Sequence, residues 1–99
     1  MTRADAVARL EKIAPELRAS GVAHLYLFGS VARGDSGPTS DLDIFIDPVS
    51  ADFLRLDSFM APFALIEGAF PEMPVGYSTR AGLSEHVRNS VEDEAVRVF

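Results

Sequence analysis

Leu27-Phe28-Gly29-Ser30-Val31-Ala32-Arg33-Gly34-Asp35, followed by Ser40-Asp41-Leu42-Asp43-Ile44, is the stretch that decides how this chain folds. The run leading into it, Val22 to Phe28, is short, aromatic and aliphatic, and bounded by Gly21 and Gly29, so it reads as a strand. Gly29 lets the backbone turn sharply at the strand end. If Ser30 opens a short helix through Arg33, the free N–H groups of the first turn and the helix dipole favour an anion such as phosphate. The Ser30 hydroxyl adds one donor. An ordinary strand-to-helix turn with a serine cap uses the same residues. Residues 36–40, Ser-Gly-Pro-Thr-Ser, are loop chemistry, and 42–46 read as a second strand closed by Asp47-Pro48. Strand side chains alternate faces, so Asp41 and Asp43 point the same way, roughly 7 Å apart along the backbone. Two such carboxylates can share a pair of hard cations, which lie about 4 Å apart in two-metal phosphoryl-transfer sites. Mg²⁺ takes oxygen ligands, few of them from protein. The plainer reading is a solvated strand edge, although Asp is poor in strands and like charges on one face repel.

Upstream, Val7, Leu10, Ile13 or Ala14, and Leu17 recur at helical spacing. They predict an amphipathic helix over 3–19, with Thr2 as N-cap, a kink or restart at Pro15 and a stop at Gly21. Downstream, residues 52–69 read as a helix bent near Pro62. Phe53, Leu56, Met60 and Phe63 fit one face, and Phe59, Leu65, Ile66 and Phe70 spread beyond it. Core packing is the first reading of that surplus, and an interface the second. A third strand over 73–78 follows Pro71, and a last helix over 83–91 takes Ser84 as its cap. The order α-β-(short α)-β-α-β-α predicts an α/β (α+β) domain: a small mixed sheet packed by helices, spanning 1–99 as one unit.

Composition bounds the function. The chain has 99 residues, 15 of them acidic and 9 basic, for a net charge of −6. With Lys12 the single lysine and eight scattered arginines, no basic patch supports direct nucleic-acid binding or a membrane-surface helix. Six of the eight aspartates (Asp35, Asp41, Asp43, Asp47, Asp52 and Asp57) fall within 35–57, where Arg55 is the only cation. Four of the six read as loop, turn and cap residues, leaving Asp41 and Asp43 for metal. There is no cysteine, hence no disulfide or thiolate chemistry. No apolar run approaches the length of a membrane span and the N-terminus is not a signal peptide, so the expected location is cytoplasmic. His24 and His86 are isolated and read as structural or surface residues. Gly29-x-x-x-x-Gly34 starts like a P-loop, but Asp35 stands where lysine is required.

The combination Gly-Ser, ten residues, then Asp-x-Asp, met here by Gly29-Ser30 and Asp41-Leu42-Asp43, resembles the minimal nucleotidyltransferases of the DNA polymerase beta superfamily. The likeness covers nearly the whole chain, including the closing Glu94-Ala95-Val96-Arg97-Val98-Phe99. It implies a polymerase-beta-like nucleotidyltransferase fold and transfer of AMP from Mg-ATP to a hydroxyl. In the short members that act as antitoxins, the acceptor is a tyrosine of a small helical toxin of the HEPN type. By position, Gly29 and Ser30 would hold the triphosphate, Asp41 and Asp43 the two Mg²⁺ ions, and Arg33 either touch phosphate or brace the loop. One departure stands out. The family carries a third carboxylate on the next strand, and here Pro74-Val75-Gly76-Tyr77-Ser78 puts Gly76 in its place. Glu72 and Asp47 are the acidic residues that remain as substitutes. The alternative to an active enzyme is therefore a weakened or inactive transferase that binds nucleotide or a partner.

Overall fold

The computed structural model describes residues 1–50, 56–83 and 85–99. Helix α1 (Arg3–Lys12) starts at Thr2, whose Oγ1 accepts a hydrogen bond of 3.1 Å from the Asp5 N–H. The helix expected over 3–19 is two helices. The chain breaks at Ile13 and resumes as α2 (Ala14–Ala19), with Pro15 in the first turn, where a missing N–H leaves no bond unmade. Strand β1 (Val22–Phe28) leads into a one-turn helix α3 (Gly29–Arg33), then strand β2 (Leu42–Pro48).

Helix α4 (Leu56–Ala69) runs continuously through Pro62, which is buried. The first part of the helix expected there, with Asp52, Phe53 and Leu54, lies outside the described residues. Strand β3 (Val75–Thr79) starts two residues later than expected and is followed by a 3₁₀ turn (Arg80–Gly82) and helix α5 (Glu85–Glu94). Ser84, the expected cap, is also outside the described residues. A fourth strand, β4 (Val96–Arg97), was not expected.

The sheet order is β3-β2-β1-β4. β2 lies antiparallel to β1 and parallel to β3, while β4 closes the other side antiparallel to β1. Alternation along the strands sorts the two faces. Leu25, Leu27, Leu42, Ile44 and Ile46 are fully buried with Ala6, Leu10, Leu17, Ile66 and Phe70 of the helical layer. Most of the apolar surplus on α4 belongs to this layer. Phe59 and Leu65 pack against the core, Phe63 lies 5.4 Å from the Tyr77 ring, and Met60 stays 42% exposed. The Tyr77 hydroxyl donates to the Phe59 carbonyl at 3.1 Å, and burial holds its pKa far above the phenol range.

The opposite face carries Tyr26, Phe28, Asp43, Phe45 and Asp47. Phe45 is fully buried there: Tyr26 stacks on it at 4.7 Å, Phe28 lies at 5.6 Å, and the Arg80 guanidinium sits 5.1 Å above its ring. Arg80 also donates to both oxygens of Asp47, at 2.9 and 3.1 Å, and to Glu92 at 2.7 Å. Asp47 is thus a paired strand residue rather than a turn residue.

Candidate active site

Three register partners form a row across the sheet: Phe28 on β1, Asp43 on β2 and Gly76 on β3. Asp43 is half-buried in the middle of it. Gly29, immediately after Phe28, has φ +75°, a conformation that L side chains rarely adopt. A Cβ built there would overlap Asp43 Oδ2. On the other side, a Cβ at Gly76 would come within 2.9 Å of Asp43 Oδ1. The carboxylate is cradled between two residues without side chains. Gly29 therefore serves twice, for the turn and for the room it leaves.

Asp41 precedes β2 and is exposed. Burial pushes the Asp43 carboxyl above the usual range, the negative charge of Asp41 pushes it further, and Arg33 pulls it back in part. Asp41 and Arg33 are therefore within electrostatic reach of Asp43, although the strand expected to orient both carboxylates begins only at Leu42. Both carboxylates offer only oxygen, which suits a hard cation. Among the described residues, no three His, Asp or Glu side chains gather around one point.

Helix α3 is anchored by the buried Val31 and Ala32, and Arg3 Nη1 of α1 donates to the Ala32 carbonyl at 3.3 Å. Phe28 occupies its N-cap position and has no acceptor to offer the first N–H groups. Gly34 ends it in the left-handed conformation, φ +82°. Arg33 braces the loop: its Nε donates to Asp35 at 3.3 Å and its Nη1 to Glu94 at 3.2 Å. Glu94 lies 61 residues away in sequence, and no spacing signal could have paired it with Arg33.

Neither substitute for the third carboxylate is free. Glu72 accepts from Arg9 Nη1 at 2.6 Å, which holds its carboxyl below the usual range. Asp47 is held by Arg80 and lies four residues along β2 from Asp43, roughly 13 Å at strand rise. His24 lies on β1 with its Nδ1 3.2 Å from an Arg97 nitrogen, and the side chain of His86 is outside the described residues. A cleft of about 280 Å³ opens beside Ser40, lined also by Met1, Arg9, Glu72 and Met73, but Asp41 and Asp43 do not line it.

The sequence matches the nucleotidyltransferase domain over residues 7–98. The chain belongs to that family. A solved structure presented as a candidate minimal nucleotidyltransferase superposes on this nucleotidyltransferase domain with a TM-score of 0.79 at 27% identity, covering 97% of this chain and 95% of the other. A candidate nucleotidyltransferase from Sulfolobus solfataricus shares the fold, with a TM-score of 0.55 at 20% identity over 96% of this chain and 80% of the other. No curated protein matches significantly. The small mixed sheet read from the sequence is thus the nucleotidyltransferase fold. No helix among the described residues is long and apolar enough to cross a membrane.

Proposed function

We propose that this nucleotidyltransferase transfers a nucleoside monophosphate, AMP from Mg-ATP, to a hydroxyl of a partner protein. We further propose that it does so as the antitoxin of a pair whose toxin is a small helical protein of the HEPN type. The observation that supports it most is the Asp43 carboxylate, held between Gly29 and Gly76 beside Asp41 at the mouth of the Gly29-Ser30 turn. A charge kept where burial and a like neighbour both oppose it favours a cation partner. Asp41 and Asp43 would hold Mg²⁺, which when bound neutralises phosphate charge and orients the nucleotide. The N–H groups of Gly29 and Ser30 and the Ser30 hydroxyl would hold phosphate oxygens. In the transfer, the acceptor oxygen bonds to the α-phosphorus, the bond to the bridging oxygen breaks, and pyrophosphate leaves with the electron pair. The hydroxyl proton passes to water, because no carboxylate stands at Gly76.

That absence favours a second reading, a weakened transferase that binds nucleotide or partner without efficient turnover. Loss of a general base typically lowers rate about 10²–10⁴-fold. Calorimetry with Mg-ATP against the other triphosphates, together with label transfer from ATP to a co-expressed partner, separates the readings. We expect binding that prefers ATP, abolished in Asp43→Ala, with label on the partner. Binding without label in wild type, with label gained in Gly76→Asp, selects the second reading. Binding and transfer unchanged in Asp43→Ala overturn both.

A further inference from the structure

Arg33 ends the turn that carries Gly29 and Ser30, yet its guanidinium is already engaged. Nε faces Asp35 at 3.3 Å, and Nη1 faces the two oxygens of Glu94 at 3.2 and 3.5 Å. One positive and two negative charges leave this trio net negative, beside two further aspartates. A triphosphate approaching the turn meets an arginine whose charge is more than cancelled. The contacts are also long and wet: the side chains of Arg33, Asp35 and Glu94 are 47, 62 and 35% exposed. Exposed pairs of this kind are weak enough for a polyanion to displace. Glu94 is the last residue of α5 and leads directly into β4, so its grip joins the phosphate turn to the C-terminal end of the fold.

We propose that Glu94, with Asp35, is a positioning residue that restrains Arg33, and that nucleotide binding requires Arg33 to leave these carboxylates for the phosphates. This rests on the nucleotide-binding reading above. Release by any agent that draws Glu94 away, such as a cationic side chain of a partner docked on the end of α5, raises nucleotide affinity.

The test is the Mg-ATP dissociation constant at two salt concentrations for wild type, Glu94→Gln, Asp35→Asn, Arg33→Gln and the Arg33→Gln/Glu94→Gln double variant. Glu94→Gln and Asp35→Asn are each expected to tighten binding by about fivefold, the scale of one exposed ion pair. Their binding should also fall more steeply with salt, because a freed cation now meets the phosphates. Arg33→Gln should weaken binding, and Glu94→Gln added to it should bring no gain. A merely structural role for Glu94 would change the unfolding midpoint and leave the salt slope and this non-additivity absent. Should Glu94→Gln misfold, Asp35→Asn on the exposed loop carries the same test. Wild-type binding with neither variant tighter overturns the restraint and leaves the nucleotide site standing. No binding by wild type or any variant overturns both.

Discussion

Without a cation, the Asp43 carboxylate is at odds with its surroundings. Burial opposes its charge and Asp41 repels it. Removing that charge should help the fold while destroying the site. Asp43→Asn, unfolded in the presence of chelator, is expected to melt above the wild type. The sign fixes the pH dependence. A carboxyl whose folded pKa is raised is destabilising when ionised, and the penalty disappears as pH falls below the ordinary carboxylate range. The advantage of Asp43→Asn should therefore be full near neutrality and vanish in acid, as parallel melts across pH will show. The two flanking glycines part company under substitution. Gly76 sits in ordinary strand backbone, and the atom its Cβ meets is the movable end of a side chain, so Gly76→Ala is expected to lose less than about 1 kcal/mol. Gly29→Ala forces a positive φ on alanine and drives Asp43 aside. It should lose about 1–3 kcal/mol and, with the carboxylate displaced, the proposed Mg-dependent binding as well.

Among the elements, Arg80 ties the far face of the sheet to α5. One guanidinium covers Tyr26 at 4.8 Å and Phe45 at 5.1 Å, forks onto Asp47, and reaches Glu92 on α5. Its anionic partners raise its already high pKa, so it stays charged throughout. Arg80→Ala uncovers the Phe45 ring and strands Asp47, for an expected loss of about 2–3 kcal/mol. Arg80→Lys keeps the charge but not the fork and should fall between, measurable by urea denaturation. Nothing in the sequence marks Arg80, because its partners lie in three separate elements. The same limit hid β4, whose two residues show no alternation to read, and the clasp of Glu94 on Arg33. What was legible was local: strand runs between glycines, the Thr2 cap, and the Gly-Ser and Asp-x-Asp spacing that backbone geometry places at one end of one sheet. The resemblance puts Gly76 in the place of the third carboxylate, and the β2–β3 register sets it opposite Asp43. The break at Ile13 was half legible. Pro15 announced a disruption, but only the folded chain shows that it starts a helix rather than bending one.

At the scale of the whole molecule, the two edges of the sheet are treated differently. β1 is covered by the C-terminal segment: the Val98 N–H donates to the Leu25 carbonyl at 2.8 Å, the Leu25 N–H to the Phe99 carbonyl at 3.1 Å, and the Phe99 ring lies 4.7 Å under Arg18. Truncation after Ala95 bares the edge of a buried apolar strand, and the expected result is aggregation rather than a soluble monomer, read by light scattering. β3, at the other edge, ends the order of strands, and Gly76 is exposed on it. That exposure has a genetic consequence. A glycine codon ending in a pyrimidine becomes an aspartate codon by a single transition at its second base. At Gly76 the backbone already permits the new residue, and the site it would enter lies directly across the register. On the proposed transferase reading, a third carboxylate would stand one such base change away. In a library of random point mutants under selection for transfer, position 76 is where gain of activity should appear first.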